Sequence, residues 1–250
     1  MGRKIVRTSA QEQQKALKLQ QEAKKRKKMI GIASAIVIGI CVCIGIVMAA
    51  ISPDKNAEHT GDTNVGNGQQ NTSKEPYTPE ALDETLSYYA DIEMEKYGTI
   101  TVLLDQKSAP ITCANFVELA NRSFYDGLTF HRVEVGSLMQ GGDPKGNGTG
   151  GSEHKIVGEF TENGYENNLL HTRGAISMAR MSDYNSATSQ FFIMQADSTS
   201  LDGKYAVFGY VTEGIEIVDA ISADVEAAGE NGALLKATQP VITSIKIRTE

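Results

Sequence analysis

Three features of this 250-residue chain could do chemistry on residue type and spacing: a glycine run, four histidines and three cysteines. The run Gly146-Asn147-Gly148-Thr149-Gly150-Gly151 satisfies G-x-G-x-x-G, the spacing that holds a dinucleotide pyrophosphate at a helix N-terminus. That reading needs a strand directly before the glycines and a helix directly after them. Asp143-Pro144 interrupts the approach, and "SEHKIVGEFTENG" follows with no helical period. A phosphate-binding Gly-Lys-Ser/Thr is also absent, so the match is fortuitous and the glycines serve loop shape or close backbone approach. His131, His154 and His171 are too scattered for a metal signature, and His59 stands alone in a polar stretch. There is no H-E-x-x-H, no paired C-x-x-C and no G-x-S-x-G nucleophile elbow. No nucleotide, metal or other cofactor is implied.

The elements that would position any site divide sharply along the chain. Residues 1–28 hold ten Lys/Arg and two Asp/Glu, whereas the remainder holds 14 basic and 29 acidic residues. Such asymmetry points to two compartments or two partners. Between them, Met29 to Ile51 is a 23-residue stretch without a charge. As a helix it would reach about 34 Å, enough to span a hydrocarbon core of about 30 Å. "KKRKK" (Lys24–Lys28) abuts it on the N-terminal side, which sets that side in the cytoplasm and the C-terminal bulk outside. A signal peptide cleaved near Ala49 is the rival reading, but its apolar region would be shorter. The expected layout is a basic cytoplasmic segment (1–28), a transmembrane anchor (29–51), a flexible polar linker (52–77) and a folded domain (78–250). Cys41 and Cys43 fall in the apolar span and Cys113 stands alone beyond it, so no disulfide can staple the outer domain.

Within that domain, a short helix is expected over Pro79–Leu86. Tyr88, Ala90, Ile92 and Met94 then alternate with polar residues, as in a strand with one wet face. Ile100, Val102 and Leu104 repeat the pattern after a turn. Pro110 suits a helix's first turn, with Cys113, Val117 and Ala120 on one face, which makes Cys113 a core residue. "LTFHRV", "QFFIMQA", "YAVFGYV" and "PVITSIKI" read as further strands, and "GIEIVDAI" as a second helix. Many short strands with two helices argue for an antiparallel barrel or sandwich.

Four ordered blocks carry a more specific signal: "FHRVEVGSLMQGGDPKGNGTGG", "GAISMAR", "SQFFI" and "LDGKYAVFGYV". Together they resemble the cyclophilin-type peptidyl-prolyl cis-trans isomerases over about Tyr88–Ile247. The resemblance implies a mainly β fold, an eight-stranded antiparallel β-barrel capped by two α-helices, here preceded by the transmembrane helix. It also implies a cofactor-free isomerase acting on proline-containing polypeptides, which the layout would place on newly exported or surface proteins. Arg132 matches the family's catalytic arginine. Gln140 matches the glutamine that orients the substrate backbone, Ala179 a backbone-binding position, and Gln190 and Phe192 groove and proline-pocket residues. Leu138, Leu201 and Tyr205 correspond to pocket positions. Strand alternation sends Phe191 and Phe192 to opposite faces, so one of them lines the groove and the other the core. His131 is read as a structural hydrogen-bonding residue.

Two positions depart from the family pattern. Ser137 stands where a phenylalanine walls the proline pocket, and Val135 or Leu138 would have to fill the space. Ser200 stands where some members carry tryptophan, which weakens the case for cyclosporin binding. These serines support an alternative, a catalytically weak module that binds proline-containing segments or an envelope partner.

Overall fold

Alternation organises the first hairpin: Tyr88, Ala90, Ile92 and Met94 of β1 (Tyr88–Met94) are buried, as are Ile100, Val102 and Leu104 of β2 (Gly98–Leu104). The computed structural model describes residues 75–226 and 231–250. The basic segment, the anchor and nearly all of the linker expected before the domain lie outside those residues. Among the described residues no helix is long and apolar enough to cross a membrane.

The remaining strands are β3 (Phe130–Glu134), β4 (Leu138–Gly141), β5 (Ala175–Met178), β6 (Phe191–Met194), β7 (Val207–Glu213) and β8 (Ile242–Thr249). They form one sheet in the order β3-β4-β6-β5-β7-β2-β1-β8, with each neighbouring pair antiparallel. Its two edges meet just before β3 and β8. There Gly127 N–H donates to the Ile242 carbonyl, Ile242 N–H to Leu128 and Phe130 N–H to Pro240. This seam joins the two edges of the sheet at their ends and curls it into a half-barrel.

Two α-helices pack against it among the described residues, α1 (Pro110–Asn121) and α2 (Ile215–Asp224). Pro110 opens α1, and the buried Glu159 carboxylate accepts from Ile111 N–H at 3.0 Å and Thr112 N–H at 2.7 Å. A distant loop thus satisfies donors that a helix start leaves open. Cys113 is buried against β7, its Sγ 3.4 Å from the Phe208 carbonyl, and burial pushes its thiol pKa up. It behaves as a small core residue. Phe116, Tyr125, Phe191 and Phe208 interlock at centroid spacings of 5.1–5.6 Å.

The helix expected over Pro79–Leu86 does not form. Asp83 Oδ1 takes both the N–H and the hydroxyl of Thr85, and Leu86 N–H closes a turn on the Asp83 carbonyl. A short acidic side chain bonding its own backbone competes directly with helix.

Candidate active site

Strict alternation along β3 would put Phe130 and Arg132 on the same face. The register instead pairs Phe130 with Gly141 and Arg132 with Gln140, so His131 is the extra residue of a β-bulge. The bulge lets Phe130 enter the core while Arg132 turns to the outer face beside Gln140. Arg132 Nη1 donates to Gln140 Oε1 at 3.1 Å, and Gln140 Nε2 donates to Gln190 Oε1 at 2.8 Å. Gln190 Nε2 then donates to the Gly150 carbonyl at 2.7 Å and the Gly148 carbonyl at 3.2 Å. One continuous polar row therefore joins β3, β4 and the start of β6 to the glycine loop.

Next to that row lies a second apolar cluster, separate from the main core: Leu138, Ala175, Phe192, Met194 and Val207 are all buried. Ala179, Leu201 and Tyr205 pack against its margin and are partly exposed. Phe191 belongs to the core and Phe192 to this outer cluster, the division that alternation predicts. The structure thus gathers Arg132, Leu138, Gln140, Ala179, Gln190, Phe192, Leu201 and Tyr205 on one outer surface.

The glycine loop is built around a carboxylate. Asp143 accepts from the backbone N–H of Lys145 (2.8 Å), Asn147 (3.0 Å) and Gly148 (2.6 Å). Burial pushes its pKa up, but backbone donors outweigh that and hold it below the usual carboxylate range. Gly148 has φ +86°, and a Cβ on Gly150 would collide with the Asp143 carboxylate. The glycines wrap an internal anion and are followed by no helix. Their donors are already spent, so they make no pyrophosphate cradle.

Comparison with known proteins decides the family. The family described as cyclophilin type peptidyl-prolyl cis-trans isomerase/CLD matches residues 89–248. The chain is a cyclophilin. A Helicobacter pylori (strain J99) protein named peptidyl-prolyl cis-trans isomerase is 45% identical over 135 residues, 53% of this chain and 80% of that protein. Arabidopsis thaliana peptidyl-prolyl cis-trans isomerase CYP18-2 is 42% identical over 127 residues, 50% of this chain and 76% of its own length. A Cryptosporidium parvum cyclophilin crystallised in the presence of the dipeptide Ala-Pro superposes with a TM-score of 0.57 at 28% identity. That match covers 65% of this chain and 99% of the other. The protein is a peptidyl-prolyl isomerase, an enzyme class that needs no cofactor.

Several residues that shape the candidate site escape sequence reasoning. His171 is buried beside the outer cluster, stacked on Phe192 at 5.9 Å and edge-on to Tyr205 at 6.3 Å. Its Nδ1 lies 3.0 Å from Asp202 Oδ1 and its Nε2 3.1 Å from Ser177 Oγ. Burial lowers its pKa despite the Asp202 contact, so the neutral ring donates from Nδ1 and accepts the Ser177 hydroxyl. Arg180 lies 4.7 Å from the Tyr205 ring centroid and bonds the Lys204 carbonyl, bracing that wall. Asn231 supplies a backbone carbonyl to Arg132 Nε at 2.8 Å. The pattern of isolated residues gives no sign of these, because each is joined to the site only by folding. His131 differs from expectation: both ring nitrogens are buried without a hydrogen-bond partner among the described residues. It is held by packing, and burial lowers its pKa.

The two departures keep their character in three dimensions. Ser137 closes the β3–β4 turn, its N–H donating to the Glu134 carbonyl and its carbonyl accepting from Gln195 and Ala196. Leu138 packs into the outer cluster, whereas Val135 is 60% exposed and joins neither cluster. Ser200 sits in a single 3-10 turn (Thr199–Leu201), its hydroxyl 3.1 Å from that of Ser198.

Proposed function

We propose that a proline ring seats against the Phe192–Leu138–Tyr205 cluster while its amide lies against Arg132 and Gln140. The observation that carries this reading is the adjacency of an apolar cluster and a hydrogen-bonded polar row that begins at Arg132. Amide resonance sets a rotation barrier of about 18–20 kcal/mol, and lowering it needs no nucleophile. A positive charge beside the prolyl nitrogen favours withdrawal of its lone pair from conjugation in the twisted state. The Arg132 guanidinium presents five N–H donors, so some remain for substrate beyond those already engaged. Gln140, pinned between Arg132 and Gln190, holds the flanking carbonyl. Ala179, Gln190 and Leu201 border the path of the bound segment.

The same proposal extends to cellular context. The uncharged stretch Met29–Ile51 and the basic cluster before it support a single-pass anchor with the cyclophilin domain outside the cytoplasm. There it would accelerate folding of exported or surface proteins, whose proline steps take tens of seconds uncatalysed. Protease added to intact cells should remove the domain and spare residues 1–28. Protection of the domain would overturn the topology.

The activity is tested by NMR exchange on an Ala-Xaa-Pro-Phe peptide. Arg132→Ala should reduce catalysis by about 100-fold, the scale for losing one preorganised electrostatic group. Undiminished exchange would remove Arg132 from the mechanism.

A further inference from the structure

Arg132 stands in the polar row with its charge already partnered. Its Nε and Nη1 contacts, to the Asn231 carbonyl and Gln140 Oε1, orient the guanidinium without altering its charge. The Nη2 contact is of another kind, an ion pair with Glu134 Oε1. Arg132 and Glu134 stand at i and i+2 of β3 on the same face, so the acid reaches the base without spanning the site. Their side chains are only 21% and 22% exposed, so solvent screens the pair incompletely. Gly232 packs against the Glu134 stem: a Cβ there would lie 3.1 Å from Glu134 Cγ. The segment that carries Gly232 thus packs closely beside the Glu134 stem.

A carboxylate at that position subtracts from the field that Arg132 exerts on a nearby prolyl nitrogen. Pure orientation would not require an acid, because Asn231 and Gln140 already fix two edges of the planar group. We propose that Glu134 is a brake on Arg132, a charge-screening residue whose pair a bound proline segment must loosen before rotation is accelerated. A flanking lysine or arginine in the substrate can take Glu134 for itself and release Arg132. Basic segments around the proline are thereby turned over faster than acidic ones. This inference rests on Arg132 being the catalytic group proposed above.

The test uses the full-length chain and its Glu134→Gln, Arg132→Ala and doubly substituted forms. Exchange is measured by NMR at several peptide concentrations, so that kcat and KM separate, with Ala-Ala-Pro peptides ending in lysine or glutamate. The Arg132 Nε–Hε resonance is recorded without peptide. Glu134→Gln should raise kcat about fivefold, the scale of a partly exposed ion pair. It should also shift the Arg132 resonance and erase the preference for the lysine peptide, while leaving the rate of Arg132→Ala unchanged in the double variant. A fall in kcat in Glu134→Gln would make Glu134 a positioning residue, and no change would leave it without a role in the step; either result sinks the brake alone. Catalysis that survives Arg132→Ala would sink the underlying assignment and the brake with it. An unshifted Arg132 resonance in Glu134→Gln would show that the pair does not exist in solution.

Discussion

Phe191 and Phe192 are consecutive on β6, yet their surroundings follow different rules. Phe191 meets Phe116, Tyr125 and Phe130 edge-on at centroid distances of 5.4–5.7 Å and is fully buried. Its aromatic partners all belong to the main core. Phe192 meets His171 and Tyr205, in a smaller cluster bordered by partly exposed side chains. Polar supports lie beneath it, Asp202 and Ser177 on His171, and Arg180 stands behind Tyr205. The inner face is stabilised by filling space; the outer cluster is smaller and is braced by hydrogen bonds.

The largest expected effect breaks the inner side of this contrast. Phe191→Ala should cost about 3–5 kcal/mol of stability, read from urea unfolding, because the ring's neighbours cannot collapse onto the void. Phe192→Ala should cost less stability and appear chiefly in function. Loss of about 1.5–3 kcal/mol of apolar contact with a bound proline raises KM by tenfold or more in peptide exchange. If both substitutions destabilised equally, the two faces would not differ as described. A third change sharpens the outer face: Ser137→Phe adds an aromatic wall beside Leu138 and should tighten peptide binding severalfold, measured by NMR titration. Unchanged affinity would mean that the turn points position 137 away from the ligand.

The smallest effect concerns pH. His171 and His131 both have pKa values lowered by burial from the ordinary 6.5, so the unfolded chain binds their protons more readily. Their contribution to stability is complete above that value and is lost as pH falls from it through the folded-state values. Asp143, held below 3.8, loses its contribution at still lower pH. Glu159, raised above its ordinary 4.5 by burial, acts in the opposite sense. The urea midpoint should drop between about pH 7.5 and about pH 5.5, and drop less in His171→Gln. An equal drop would place the sensitivity elsewhere.

What could be read from residues alone follows from element length. β1, β2 and α1 declare themselves because seven or more residues suffice to establish a period. β4 and β5 are four residues long, too short to register as period two, and only the family likeness of "MQGGD" and "GAISMAR" marked their neighbourhood. The bulge at His131 is invisible to any alternation count, since one additional residue reverses which faces Phe130 and Arg132 take. His171, Asn231 and the Arg132–Glu134 pair join the site only across loops or through a register that the fold sets. The helix expected over Pro79–Leu86 gives way to the Asp83 turn, because the Asp83 side chain bonds Thr85 in place of a helical ladder. Arg132, Gln140 and Phe192 stand together because their motifs are contiguous in sequence with the strands that carry them.

Ser87 and Glu250 exchange both backbone hydrogen bonds, N–H to carbonyl, at 2.9 and 3.1 Å. The point where the chain enters the barrel and the point where it leaves are therefore the same point in space. Topologically the barrel is a closed bead on a single knot of backbone. It could be spliced into a surface loop of a host protein with little displacement of the host's own path. A permuted chain that joins residue 250 to residue 87 and opens elsewhere would thread the same strands in the same order around the ring.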